Sequence, residues 1–161
     1  MSLPHSLAHL LHQPVAPAVG IQSASDFDEY VAALNREDWE LLRTRFWARN
    51  LAFSQPGQPT LSSVDVLIVT MQRFRRTWDR QIRRIRWLGY HPGGRTLAAE
   101  VEVELSRKQQ SPSILLSGQI TSSTTMIWAH YDLDDERRVS KIRLIPEPER
   151  TIGASVFDQN T

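Results

Sequence analysis

Apart from a short strand at Leu51-Ala-Phe53, every helical period in this chain lies before residue 79 and every strand alternation lies after it. Segregation of this kind excludes a parallel sheet built from alternating crossovers. It calls for helices laid on one face of a mostly antiparallel sheet, an α+β arrangement. At 161 residues the chain fits one domain, and such a domain buries roughly two-thirds of the surface that its unfolded form exposes.

The helical half reads in three pieces. Phe27, Tyr30, Val31 and Leu34 keep the 3.6 period after Ser25, which stands three residues before Asp28 as a variant capping box. Asp38 then caps a second helix with Trp39, Leu42 and Phe46 on its apolar stripe. After the loop Gln55-Pro-Gly-Gln-Pro59, Ser62 or Ser63 caps a third helix through Val64, Leu67, Ile68, Met71, Phe74 and Trp78. The strand half follows as 82–90, a turn at His91-Pro-Gly-Gly94, 96–105, a polar loop, 114–132 with a break near Gly118, and 139–145. Residues 1–24, with Pro4, Pro14 and Pro17, read as a flexible arm, 25–147 as the domain, and 148–161 as a loose tail.

Composition removes several function classes. The 19 basic and 18 acidic residues almost balance, so no global field favours nucleic acid or an anionic membrane. Without cysteine there is no disulfide, thiolate nucleophile or cysteine metal site. No apolar run reaches the ~18 residues that span a bilayer, and Leu7-Ala-His-Leu-Leu11 lacks the basic flank of a secretory signal. A soluble cytoplasmic protein is the default expectation. Histidines are not grouped at ligand spacing and no glycine-rich phosphate loop follows a strand, so neither metal nor cofactor is expected.

The chemistry concentrates in Thr96-Leu-Ala-Ala-Glu-Val-Glu-Val-Glu-Leu105. Period-two alternation stacks Glu100, Glu102 and Glu104 on one face and apolar side chains on the other. Two outcomes are open. The row is an exposed ladder against Arg84 and Arg86 of the preceding strand, or it lines a cavity where crowded carboxylates become useful acids and bases. His130 shares a strand face with Trp128 and Asp132, an arrangement suited to proton transfer and equally to plain hydrogen bonding. An arginine run from Arg73 to Arg86, interleaved by Trp78 and Trp87, is the best case for a nucleic-acid surface. Because it crosses a helix end and a strand, its side chains scatter over several faces, and nucleic-acid binding is not expected.

The element order resembles the nuclear transport factor 2-like superfamily, the cone-shaped fold of SnoaL-like polyketide cyclases, ketosteroid isomerase and limonene epoxide hydrolase. Phe27-Asp-Glu-Tyr-Val-Ala-Ala-Leu-Asn-Arg-Glu-Asp-Trp39 is similar to the family's first-helix phrase, and Ser140-Lys-Ile-Arg-Leu-Ile-Pro-Glu147 to its last strand, with Ser140 where a glycine usually stands. The resemblance implies a cofactor-independent enzyme of secondary metabolism that cyclises, isomerises or opens an epoxide on an apolar polyketide- or terpenoid-derived substrate. Matched to the epoxide hydrolase pattern, Glu147 and Glu102 become the acid and base and Glu100 and His130 helpers, while Phe53, Gln55, Trp87, Trp128 and Trp39 shape the pocket. Glu100 replaces the family's arginine and Phe53 its tyrosine, so that mechanism does not carry over intact. Family habit further implies a homodimer through the outer sheet face. The rival reading is a non-catalytic ligand-binding or dimerisation module on the same fold.

Overall fold

The structure, a computed structural model, describes residues 18–91, 93–108 and 122–146. Helix α1 (Ala24–Arg36) starts two residues earlier than the expected cap at Ser25 implies, because Ser23 is the cap: its hydroxyl accepts from the Asp26 amide at 3.2 Å. The helix stops where Glu37 turns left-handed, φ 58°, and its amide donates to the Ala33 and Leu34 carbonyls. Asp38 caps α2 (Trp39–Leu41), accepting from the Leu41 amide at 3.1 Å. The expected second helix then widens into a π-turn, Leu42–Phe46. That wider turn keeps Leu42 and Phe46 fully buried and passes the chain straight into β1 (Trp47–Ser54), which is longer than the expected strand.

Helix α3 (Val64–Thr77) is capped by Ser63 and followed without a loop by β2 (Trp78–Tyr90). Trp78, expected as the last residue of the helical stripe, is the first of the strand. Strands β3 (Thr96–Arg107), β4 (Ser122–Leu133) and β5 (Val139–Pro146) complete one five-stranded sheet of order β1-β5-β4-β3-β2, antiparallel except for the β1–β5 pair. The proposed segment 114–121 lies outside the described residues, as do Glu147 and the tail.

β2 is an edge strand, and α1 covers part of its free edge. Asn35 donates to the Ile82 carbonyl and accepts from the Ile82 amide, both at 2.9 Å. One side-chain amide thereby satisfies both backbone groups that Ile82 presents away from β3.

The core lies between the helices and the inner sheet face. Phe27 and Tyr30 of α1 meet Tyr131 of β4 edge-on, with ring centroids 5.5 and 5.9 Å apart. Residues 18–23, assigned to the arm, are docked against this core: Ile21 is completely buried, its amide donates to the Arg137 carbonyl, and its own carbonyl accepts from Arg137 Nε. The approach is close enough that a Cβ on Gly20, φ 74°, would overlap the backbone of Glu136 and Arg137. Among the described residues no helix is long and apolar enough to cross a membrane.

Candidate functional site

A cavity of about 300 Å³ lies under α1 and α3 against the inner sheet face. Its floor comes from alternate positions of successive strands: Val101, Val103 and Leu105 of β3, Ile127, Ala129 and Tyr131 of β4, Ile142 and Leu144 of β5. Leu67, Thr70, Met71 and Phe74 of α3 form the opposite wall, and Tyr30 and Leu34 of α1 close one side. Phe74 is 40% exposed, which marks it as part of the mouth. Such a space suits a small apolar molecule held by a few polar groups.

Those polar groups cluster. Arg80 follows Trp78 on β2 at the same period as Ile82, so it faces inward, opposite Leu105 of β3. The Tyr30 hydroxyl is pushed up from 10.0 to about 12, first by burial, against which the Trp47 indole and the Arg80 charge act. The indole N–H is near enough to temper that rise yet forms no proper hydrogen bond, leaving Trp47 Nε1 without an acceptor. Tyr131 is raised well above 10.0, again by burial first, with Tyr30 adding to the rise and Arg80 opposing it. At neutral pH both tyrosines are therefore neutral O–H donors and poor bases. Arg80 is partly exposed and lines the cavity. Burial lowers its pKa, in line with a guanidinium removed from bulk water.

The glutamate row is on the other side of the sheet. Val101, Val103 and Leu105 take the inner positions, which turns Glu100, Glu102 and Glu104 outward and corrects the expectation that Glu100 and Glu102 face the cavity. Glu102 accepts from Arg86 Nη2 at 2.8 Å and Glu104 from Arg83 Nε at 2.6 Å. The expected ladder thus exists with shifted partners, because β2 is irregular between Ile82 and Arg84 and again between Ile85 and Trp87. Glu100 lies in register between Trp87 and Trp128, whose rings pack with centroids 5.5 Å apart. Neither tryptophan lines the cavity. His130 is exposed on this same face, and Asp132 pairs with Arg143 at 2.8 Å rather than with it.

Of the expected pocket residues, Phe53 and Gln55 do line the cavity. Trp39 does not, but stacks at 6.4 Å on Trp47, which does. Glu147 lies outside the described residues. Sequence reasoning passed over Tyr30, Tyr131 and Arg80. Tyr131 could have been found, because it occupies the strand face opposite His130, and one of those two faces had to be inside. Among the described residues no group of three or more histidine or carboxylate side chains could hold a metal ion.

No family model matches the sequence and no curated protein matches it. Solved structures do. A candidate polyketide cyclase from Pseudomonas putida KT2440 superposes with a TM-score of 0.63 at 12% identity, over 80% of this chain and 93% of that one. A SnoaL-like polyketide cyclase from Agrobacterium tumefaciens C58 gives 0.57 at 16% identity, over 79% and 93%. An LEH-like epoxide hydrolase of M. tuberculosis gives 0.57 at 13% identity, over 76% and 80%. With three helices packed on an open five-stranded mixed sheet, the chain has the nuclear transport factor 2-like fold shared by SnoaL-like cyclases and LEH-like epoxide hydrolases.

Proposed function

We propose that this chain is a cofactor-independent enzyme of the SnoaL-like type, which isomerises or cyclises an apolar polyketide- or terpenoid-derived molecule in the inner cavity. The observation that carries the reading is a cavity with mostly apolar walls in which Tyr30, Tyr131 and Arg80 are donors. Donors fixed in a dry site are suited to holding the oxygen on which charge develops as a proton leaves carbon. The proton acceptor in this reading is Glu147, which the family resemblance nominates. Fold relatives named as cyclases and as an epoxide hydrolase support enzymatic use of such a cavity.

A second reading has its own observation. Among the described lining residues there is no aspartate, glutamate or histidine, as in a pocket that only binds. Proton exchange in heavy water separates the two, with tetralone as the probe because it is apolar, bicyclic and enolisable. The enzyme reading expects exchange above the buffer rate, abolished in Glu147→Gln and slowed about a hundredfold in Tyr30→Phe. Saturable tetralone binding with no exchange supports the binding module instead.

We also propose that the outer sheet face joins two copies of the chain. The half-exposed Trp87 and Ile145 lie on a face whose Arg83–Glu104 and Arg86–Glu102 pairs are already neutralised within the chain, so that apposing two such faces leaves no net charge between them.

A further inference from the structure

Two arginines line the cavity, Arg75 buried and Arg80 partly buried, and they differ in their partners. Arg75, on the last turn of α3, is 7% exposed and neutralised twice, by Asp79 at 2.8 Å and Glu37 at 3.4 Å. Arg80 meets no carboxylate, no carbonyl and no aromatic face among the described residues. The titratable groups whose fields reach it are Tyr131 and Tyr30, which are neutral, and Arg75, which repels it. A cation without a counter-ion beside an apolar cavity is unfavourable, and the neighbouring inner positions Ile82, Val103 and Leu105 are all apolar.

We propose that Arg80 is the counter-ion of the ligand: the cavity takes an apolar molecule whose oxygen is negatively charged when bound, a carboxylate or an ionised enol, and seats that oxygen on the Arg80 guanidinium. This rests on the reading of the cavity as a small-molecule site and narrows its substrate class. The geometry fits in three ways. Arg80 is the only cation of the lining without a partner among the described residues. Tyr30 and Tyr131, held as O–H donors, flank it and can donate to the same oxygen. The remaining polar groups of the wall, Gln55, Thr70 and the Trp47 indole, carry no charge, so an anion gains most at Arg80. A guanidinium is also the side chain best matched to a two-oxygen anion, through paired N–H donors.

The test is a matched pair of probes, an anthracene carboxylate and the corresponding anthracene methanol, followed by quenching of tryptophan fluorescence. Trp47 lines the cavity and reports occupancy. The parent chain should prefer the carboxylate by about tenfold to a hundredfold, the effect of one charge-assisted hydrogen-bonded pair. Arg80→Met should erase the preference while leaving the alcohol's affinity unchanged, and Arg80→Lys should keep part of it. Equal binding of both probes by the parent overturns the proposal even if no variant folds, and leaves the small-molecule reading standing. Failure of the parent to bind either probe overturns both. Carboxylate preference that survives Arg80→Met overturns the assignment to Arg80.

Discussion

Arg75 and Arg80 line one cavity from either side of the α3–β2 junction, but only Arg75 has carboxylate partners among the described residues. The two positions should therefore respond oppositely to loss of charge. Arg75→Met removes contacts to Asp79 and Glu37 that are themselves a third or more exposed, so the cost is modest, about 1–2 kcal/mol. Arg80→Met removes a partly buried charge that has no carboxylate partner among the described residues, and should leave stability unchanged or raised. Urea denaturation of both variants checks the contrast; a large loss in Arg80→Met would reveal a partner for Arg80 in the fold itself.

Alkaline pH should unfold the chain through its buried phenols. The folded state keeps the Tyr30 proton up to about 12, whereas the unfolded chain releases it near 10.0. The contribution of Tyr30 to stability is thus complete below pH 10 and is lost as pH rises toward 12, by ~3 kcal/mol over that window. Tyr131 acts in the same direction. Melting temperatures should fall steeply over this range in the parent and less steeply in Tyr30→Phe. Parallel pH profiles would contradict the burial argument.

Asn35 is the second structural test. Replacing it by leucine leaves the Ile82 amide and carbonyl unpaired on the free edge of β2, at a cost of about 2 kcal/mol or more. Amide hydrogen exchange at Ile82 should accelerate in Asn35→Leu while β4 stays protected. An unchanged Ile82 rate would show that the side chain does not seal that edge.

Trp87 tests the proposed dimer. It is 48% exposed, covers Gly89 and packs on Trp128, all on the outer face. Trp87→Glu should convert a dimer to a monomer in analytical ultracentrifugation without lowering ligand affinity, because the side chain does not reach the cavity. A parent chain that sediments as a monomer contradicts the proposal.

The fold was legible because its apolar periods are long: the stripes of α1 and α3 and the alternation of β3 and β5 place each element within a few residues. Two physical effects hid the site. The alternation of β3 showed two faces clearly, and burial favours the face with valines and leucines, yet matching the glutamates to a family's polar positions put them inside. Arg80 was hidden by a boundary. Trp78 continues the helical stripe of α3 so well that β2 seemed to begin at Ile82, and a period-two reading started there never includes Arg80. Once the strand begins at Trp78, Arg80 and Ile82 share the inner face.

The central claim is that ligands bind in the inner cavity, on Arg80, and not on the glutamate face. Nuclear magnetic resonance titration of the labelled chain with the anthracene carboxylate tests it most directly. The Arg80 side-chain N–H signal and the methyls of Leu67, Met71, Val103 and Ile127 should shift together and saturate together. Shifts confined to Trp87, Trp128 and the residues around Glu100 and Glu102 would contradict it.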